Sequence, residues 1–197
     1  MIPKELLLQK GATLRKYNKD QSIFFEGDEP MYYHQIAEGS IKMVSVNESG
    51  KEFIQGMFKA GDSFGEPVLL IDEVYPATAV ANEDSVVIRL QKNVFLNILK
   101  ENHDIHLSFT RVLAKRIHQK SLIAKEISTY GPEHRIFSIL TMLKKNSGIV
   151  NEAPYKIESS RQEIADMTGL RVETVIRAIR KLQKKDLINI QKGKIYM

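Results

Sequence analysis

The chain of 197 residues is 43% hydrophobic and 27% charged, the balance of a normal globular protein of one or two domains. It has no cysteine, which excludes disulfides and thiolate zinc or iron–sulfur centres. No apolar run approaches the roughly 20 residues that span a bilayer, and Met1-Ile2-Pro3-Lys4-Glu5 lacks a signal peptide's apolar core, so a cytoplasmic chain without a membrane partner is expected.

From about residue 13 to 90 the pattern predicts many short strands: Ser22-Ile23-Phe24-Phe25, Tyr32 to Ala37, Ile41 to Val46, Glu52 to Phe58 and Ser85 to Leu90. Turn signals separate them at Glu26-Gly27-Asp28, Glu38-Gly39-Ser40, Asn47-Glu48-Ser49-Gly50 and Ala60-Gly61-Asp62. Strands at this spacing predict a sandwich or barrel. One long helical segment follows, from Lys92 to Ser128. In it His106, Thr110, Leu113, Ile117, Lys120, Ala124 and Ile127 alternate at spacings of four and three. That is a heptad seam, and it predicts pairing with a second copy of the helix. Leu107, Val112, Leu122 and Ile123 are left to pack on the chain's own strands. Gly131-Pro132 breaks the helix, and another helix is expected from Glu133 to Lys145.

Residues 160–180 read as two short helices around a tight turn. Ser160 and Glu163 have the spacing of a capping box, Ile164 and Met167 share one face, and Gly169 suits the positive φ of the turn. Leu170, Val175 and Ile179 can bury the second helix. Val172, Glu173, Ile176, Arg177 and Arg180 then lie on or near its outer face. An outward Glu can accept from cytosine and an outward Arg can fork onto guanine in a major groove. The bland reading is a helical hairpin with a solvated Glu173–Arg177 pair. Charge distribution argues against it. Met1 to Thr129 carries 16 basic and 17 acidic residues, whereas Tyr130 to Met197 carries 13 basic and 7 acidic. The positive charge sits on the segment with the hairpin, as binding to a polyphosphate requires. Leu187 to Ile190 and Lys194 to Tyr196, joined through Lys192-Gly193, predict a small β-hairpin, or wing.

Taken in order, these motifs resemble one family over nearly the whole chain. Phe24-Phe25-Glu26-Gly27-Asp28, Tyr32 to Gly39, Gly61-Asp62-Ser63-Phe64-Gly65-Glu66, Tyr75 to Ala81 and Ser160 to Arg177 are similar to the cyclic AMP receptor protein and fumarate–nitrate reduction regulator (CRP/FNR) superfamily of bacterial transcription regulators. The resemblance implies an α+β fold with three parts: a double-stranded β-helix, or cyclic-nucleotide-binding-type jelly roll, as sensor over 1–91; a dimerisation helix over 92–129; and a winged helix-turn-helix over 130–197. It implies a homodimer on palindromic double-stranded DNA, with RNA polymerase as a further partner. Val172, Glu173, Ile176 and Arg177 would read bases, and Ser160, Gln162, Arg171 and Thr174 would contact phosphates. Arg171 departs from the small hydroxyl residue common at its position.

The sensor departs further. Nucleotide-binding members follow the Gly65-Glu66 pair with an Arg-Ser pair that grips the cyclic phosphate, and this chain has Tyr75-Pro76 there. The forked cation and a backbone donor are both lost, so cyclic AMP is not the expected effector. Haem would need an axial ligand, but no signature marks His34, His103, His106, His118 or His134. Lys120, beside Ser121, stands on the seam where nucleotide binders place a small hydroxyl residue. It could pair with Glu66 and fill the site, or receive an anionic effector. Effector-pocket candidates are therefore Gly65, Glu66, Tyr75, Lys120 and Ser121, and regulation without any ligand is the alternative. A metal-dependent cupin-like enzyme is the remote reading. It would need clustered His and carboxylate ligands, and the strand region holds His34 alone. Neither a cofactor nor enzyme activity is expected.

Overall fold

The computed structural model describes residues 1–48, 50, 52–147 and 154–197, without the side chains of Glu126, Ile127 and Asn146. The expected turn at Ser49 and the seam position Ile127 lie outside this set. Two compact units are present, Met1–His118 and Gln119–Met197. Among the described residues no helix is long and apolar enough to cross a membrane.

The first unit opens with helix α1 (Lys4–Gln9), which the sequence pattern did not signal because six residues are too few to show a period. Eight strands follow: β1 (Thr13–Tyr17), β2 (Ser22–Phe24), β3 (Tyr32–Glu38), β4 (Ser40–Val46), β5 (Glu52–Lys59), β6 (Ser63–Phe64), β7 (Thr78–Ala81) and β8 (Ser85–Gln91). Helix α2 (Pro67–Ile71) interrupts them. They form two antiparallel four-stranded sheets in the orders β1-β8-β3-β6 and β2-β7-β4-β5. Alternation along the strands builds two separate cores. Ile36 and Val87 join Phe24, Ile41, Met43 and Phe64 between the sheets. Tyr33, Ile88 and Leu90 of the same strands face the other way, onto Ile2 and onto Leu7, Phe95, Ile98 and Phe109 of the flanking helices. Because β3 is covered on both faces, His34 and Gln35 are buried with the apolar residues.

The helical stretch expected as one piece is two: α3 (Lys92–Glu101) and α4 (His103–Thr129). Asn102 separates them with φ −128° and ψ 91°. Its side-chain amide donates to the Ile98 carbonyl at 3.0 Å, and its own carbonyl accepts from His106 to start α4. Asn competes in this way with the backbone ladder. The break also changes which residues of α4 face the strands. Phe109 is buried against Phe95, with Ile105 and Leu113 beside it. Leu107 and Leu122, expected on that face, are exposed instead.

In the second unit, α5 (Pro132–Asn146), α6 (Arg161–Thr168) and α7 (Val172–Lys184) share a core of Ile136, Leu140, Ile164, Val175, Ile179 and Leu182. Strands β10 (Asn189–Gln191) and β11 (Lys194–Tyr196) form the expected wing, with Lys192 and Gly193 at φ 46° and 76°, as a two-residue hairpin turn requires. The two-residue strand β9 (Lys156–Ile157), too short to announce itself in the sequence, completes that sheet against β11.

Candidate nucleic-acid interface and sensor roll

The helix-turn-helix is built by local rules. Ser160 caps α6: its Oγ accepts from the Glu163 amide at 3.1 Å, and the Glu163 carboxylate accepts from the Ser160 amide at 2.6 Å. The Ser160 hydroxyl proton remains free to donate outward, as a phosphate contact needs. Gly169 ends α6 in the left-handed region at φ 67°. Val175, Ala178, Ile179 and Leu182 bury one side of α7. On the other side Glu173, Ile176, Arg177 and Arg180 are exposed, with Val172 and Thr174 half-buried at the first turn. Neither Glu173 nor Arg177 has a hydrogen-bond or ion-pair partner among the described residues. The solvated pair of the bland reading is therefore not formed. Arg171 is the exposed cap residue of α7 and makes no side-chain cap bond. Gln162 is exposed, and its amide donates to Asp166 at 2.8 Å. Lys181 and Lys185 donate to Glu133 at 2.7 and 3.0 Å, tying the end of α7 to the start of α5. The two ammonium groups hold the Glu133 carboxyl below the usual carboxylate range.

Aromatic side chains pack inside the roll. The Tyr75 ring stacks on Phe24 with centroids 3.6 Å apart and planes 9° apart. Gly65 lies against both rings at φ 71°, where a Cβ would come within 2.8 Å of Phe24 and 2.9 Å of Tyr75. This position requires glycine on both conformational and steric grounds. Burial raises the Tyr75 hydroxyl above the ordinary phenol range, helped by the Asp28 and Glu66 charges.

Glu66 is fully buried, and its partner corrects the sequence expectation. Its Oε1 accepts from the Ser63 hydroxyl and from the Arg116 guanidinium, while Arg116 also donates to the Ser63 carbonyl at 2.8 Å. Arg116 precedes Lys120 by one turn of α4. The two arms of its planar fork meet the Glu66 carboxylate and the Ser63 carbonyl separately. Lys120 and Ser121 are exposed. Of the effector-pocket candidates, then, Gly65, Glu66 and Tyr75 come together in the roll interior. Glu66 Oε2 and the Tyr75 hydroxyl have no hydrogen-bond partner among the described residues.

Along the expected seam Thr110, Ile117, Lys120 and Ala124 are exposed, Ile117 at 67%. Leu113 departs from the stripe, since it is partly buried against the chain's own Phe95–Phe109 cluster.

Sequence reasoning passed over His34 as a candidate beyond haem. It is buried among Phe24, Phe64 and Tyr32, with ring centroids at 5.5, 5.4 and 6.4 Å. Burial first, and the Arg89 charge second, push it down to about 3. An unfolded histidine titrates near 6.5, so below that pH the unfolded state takes the proton first. Stability is unaffected above about pH 6.5 and falls through the window down to about 3. The slope is at most about 1.4 kcal/mol per pH unit. Urea unfolding should therefore show wild type losing roughly 2 kcal/mol more than His34→Leu between pH 7 and pH 5. Equal losses would assign the acid sensitivity to other groups.

Residues 14–102 match the cyclic nucleotide-binding domain family, and residues 134–197 match the Crp-like helix-turn-helix domain family. The global nitrogen regulator of Nostoc sp. is 26% identical, over 93% of this chain and 84% of its own. The cyclic AMP receptor protein of Thermus thermophilus is 23% identical, over 99% of this chain and 88% of its own. The solved structure of the c-di-GMP responsive global regulator CLP of Xanthomonas campestris superposes with a TM-score of 0.82, at 18% identity, over 98% of this chain and 99% of that one.

Proposed function

The chain belongs to the CRP/FNR superfamily of DNA-binding transcription regulators, and from that premise we propose a cytoplasmic homodimer that reads palindromic DNA and is not an enzyme. The observation that carries this reading is the outward face of α7, where Glu173 and Arg177 stand exposed and unpaired among the described residues. Exposed Thr110, Ile117, Lys120 and Ala124 supply the pairing stripe on α4. Two-fold symmetry then sets the half-sites about one helical turn apart, roughly 34–36 Å. RNA polymerase is the partner that such a dimer would meet beside its site. Selection from a randomised duplex pool, with light scattering of the free protein, tests the reading. The expected result is a dimer mass and a palindrome with that spacing. A monomer bound to an asymmetric site overturns it.

We further propose that the roll takes neither cyclic AMP nor cyclic GMP. Tyr75 stands where a nucleotide binder would place its phosphate-gripping arginine, and its ring occupies the interior against Phe24. Glu66 is engaged by Arg116. The cyclic AMP in the name of the Thermus relative is therefore not carried over to this roll. Calorimetric titration with each nucleotide should be flat, and a micromolar isotherm would contradict the assignment.

A further inference from the structure

The second unit holds a cleft to which α7 contributes nothing. It lies between the end of α4, α5 and the end of α6, with a volume of about 450 Å³, within the roughly 300–1,000 Å³ of small-molecule sites. Leu122 and Ile123 of α4, Phe137 and Met142 of α5 and Met167 of α6 give it apolar walls. Leu122 keeps 50% of its surface exposed. On α5 the lining recurs at every turn, from Arg135 through Ser138 and Met142 to Lys145. Ten residues of helix span about 15 Å, so the cleft is elongated.

The charged groups of the cleft have one sign. Among the described residues no Asp or Glu lines it, whereas Arg135 and Lys145 do. Arg135 is half-buried. Its Nε donates to the Tyr130 carbonyl at 2.9 Å, which holds the guanidinium in place. Its terminal nitrogens have no partner among the described residues. A half-buried cation beside apolar walls, with donors to spare, is complementary to an anion. Pairing of two copies does not close the site. Successive helix residues turn by about 100°, so Leu122 and Ile123 lie on the side of α4 away from Ile117, Lys120 and Ala124.

We propose that this cleft binds an aliphatic carboxylate of medium chain length. The Arg135 fork receives the carboxylate in bidentate fashion, and the chain runs along α5 over Phe137 and Met142. The flexible thioethers of Met142 and Met167 adapt to such a chain. The DNA-binding unit thereby carries a ligand site of its own, separate from the roll.

The test uses the full chain with its methionine methyl groups labelled with carbon-13. Decanoate is the probe, and decanol is its uncharged control. Decanoate should shift the Met142 and Met167 methyl resonances saturably and leave those of Met43 and Met57 in the roll unmoved. Calorimetry should show decanol binding at least tenfold more weakly. Arg135→Gln should weaken decanoate at least tenfold, with circular dichroism matching wild type. Should that variant fold poorly, the comparison of decanoate with decanol on wild type still decides. No methyl shift, or a shift of Met43 in place of Met142, overturns the site. Equal affinity for decanol and decanoate overturns the role of Arg135. None of these readouts involves DNA, so the result does not depend on base reading by α7.

Discussion

Arg116→Met should destabilise the sensor unit by about 3–5 kcal/mol, because it strands a carboxylate in a dry interior. Glu66 is 0% exposed, and its charged oxygen is held by the Ser63 hydroxyl and by Arg116 alone among the described residues. Losing the cation leaves an uncompensated buried charge, which costs far more than the intact pair contributes. The same logic fixes the control. Arg116→Met combined with Glu66→Leu removes both charges and should recover most of the loss, since an apolar replacement of a buried pair is often neutral. Lys120→Met, one turn further along and exposed, should leave stability within about 0.5 kcal/mol of wild type. Urea unfolding of the four proteins measures all three effects. A loss below about 1 kcal/mol for the single Arg116 variant would mean that its pairing with Glu66 is not what holds the sensor unit.

That contrast between Arg116 and Lys120 marks the limit of what periodicity can reveal. A heptad assigns positions along α4 correctly only if the helix has one fixed phase. Asn102 starts the helix afresh, and the break lets Phe109 decide which side meets the roll. The cation that reaches Glu66 then comes one turn earlier than the seam suggests. Strand-forming runs in the roll were legible because β3, β4, β5 and β8 are each seven or eight residues long. The short pieces α1, α2, β6 and β9 were not, since fewer than two periods cannot be told from noise. Tyr75 was visible as a lost arginine. That its ring would stack on Phe24 was not visible, because the contact depends on a residue in a distant strand. The helix-turn-helix was the most legible part. Its capping box, its turn glycine and the buried stripe of α7 all lie within a few residues of one another, and each follows from local chemistry.

Arg177→Ala should weaken binding to the selected site by roughly 1–3 kcal/mol, about 5- to 150-fold, and relax the preference at one guanine. The guanidinium is exposed on α7, one turn after Glu173, and has no partner among the described residues to satisfy it in the free protein. It can therefore fork onto the O6 and N7 acceptors of guanine without first breaking an internal bond. Glu173 presents only acceptors from the same strip and suits the cytosine amino group. Glu173→Ala should thus relax a cytosine preference and also remove a negative charge from a cationic surface, so non-specific affinity should rise slightly as specificity falls. The salt dependence separates the two kinds of contact. Replacing a phosphate contact lowers the slope of log K against log salt by about one and weakens every sequence alike. Arg177→Ala should leave the ranking at other positions intact and act chiefly at its guanine. Titrations of wild type, Arg177→Ala and Ser160→Ala on the selected and scrambled duplexes at two salt concentrations decide the matter. A uniform loss over both duplexes with Arg177→Ala would make that residue a backbone contact and leave base reading to its neighbours.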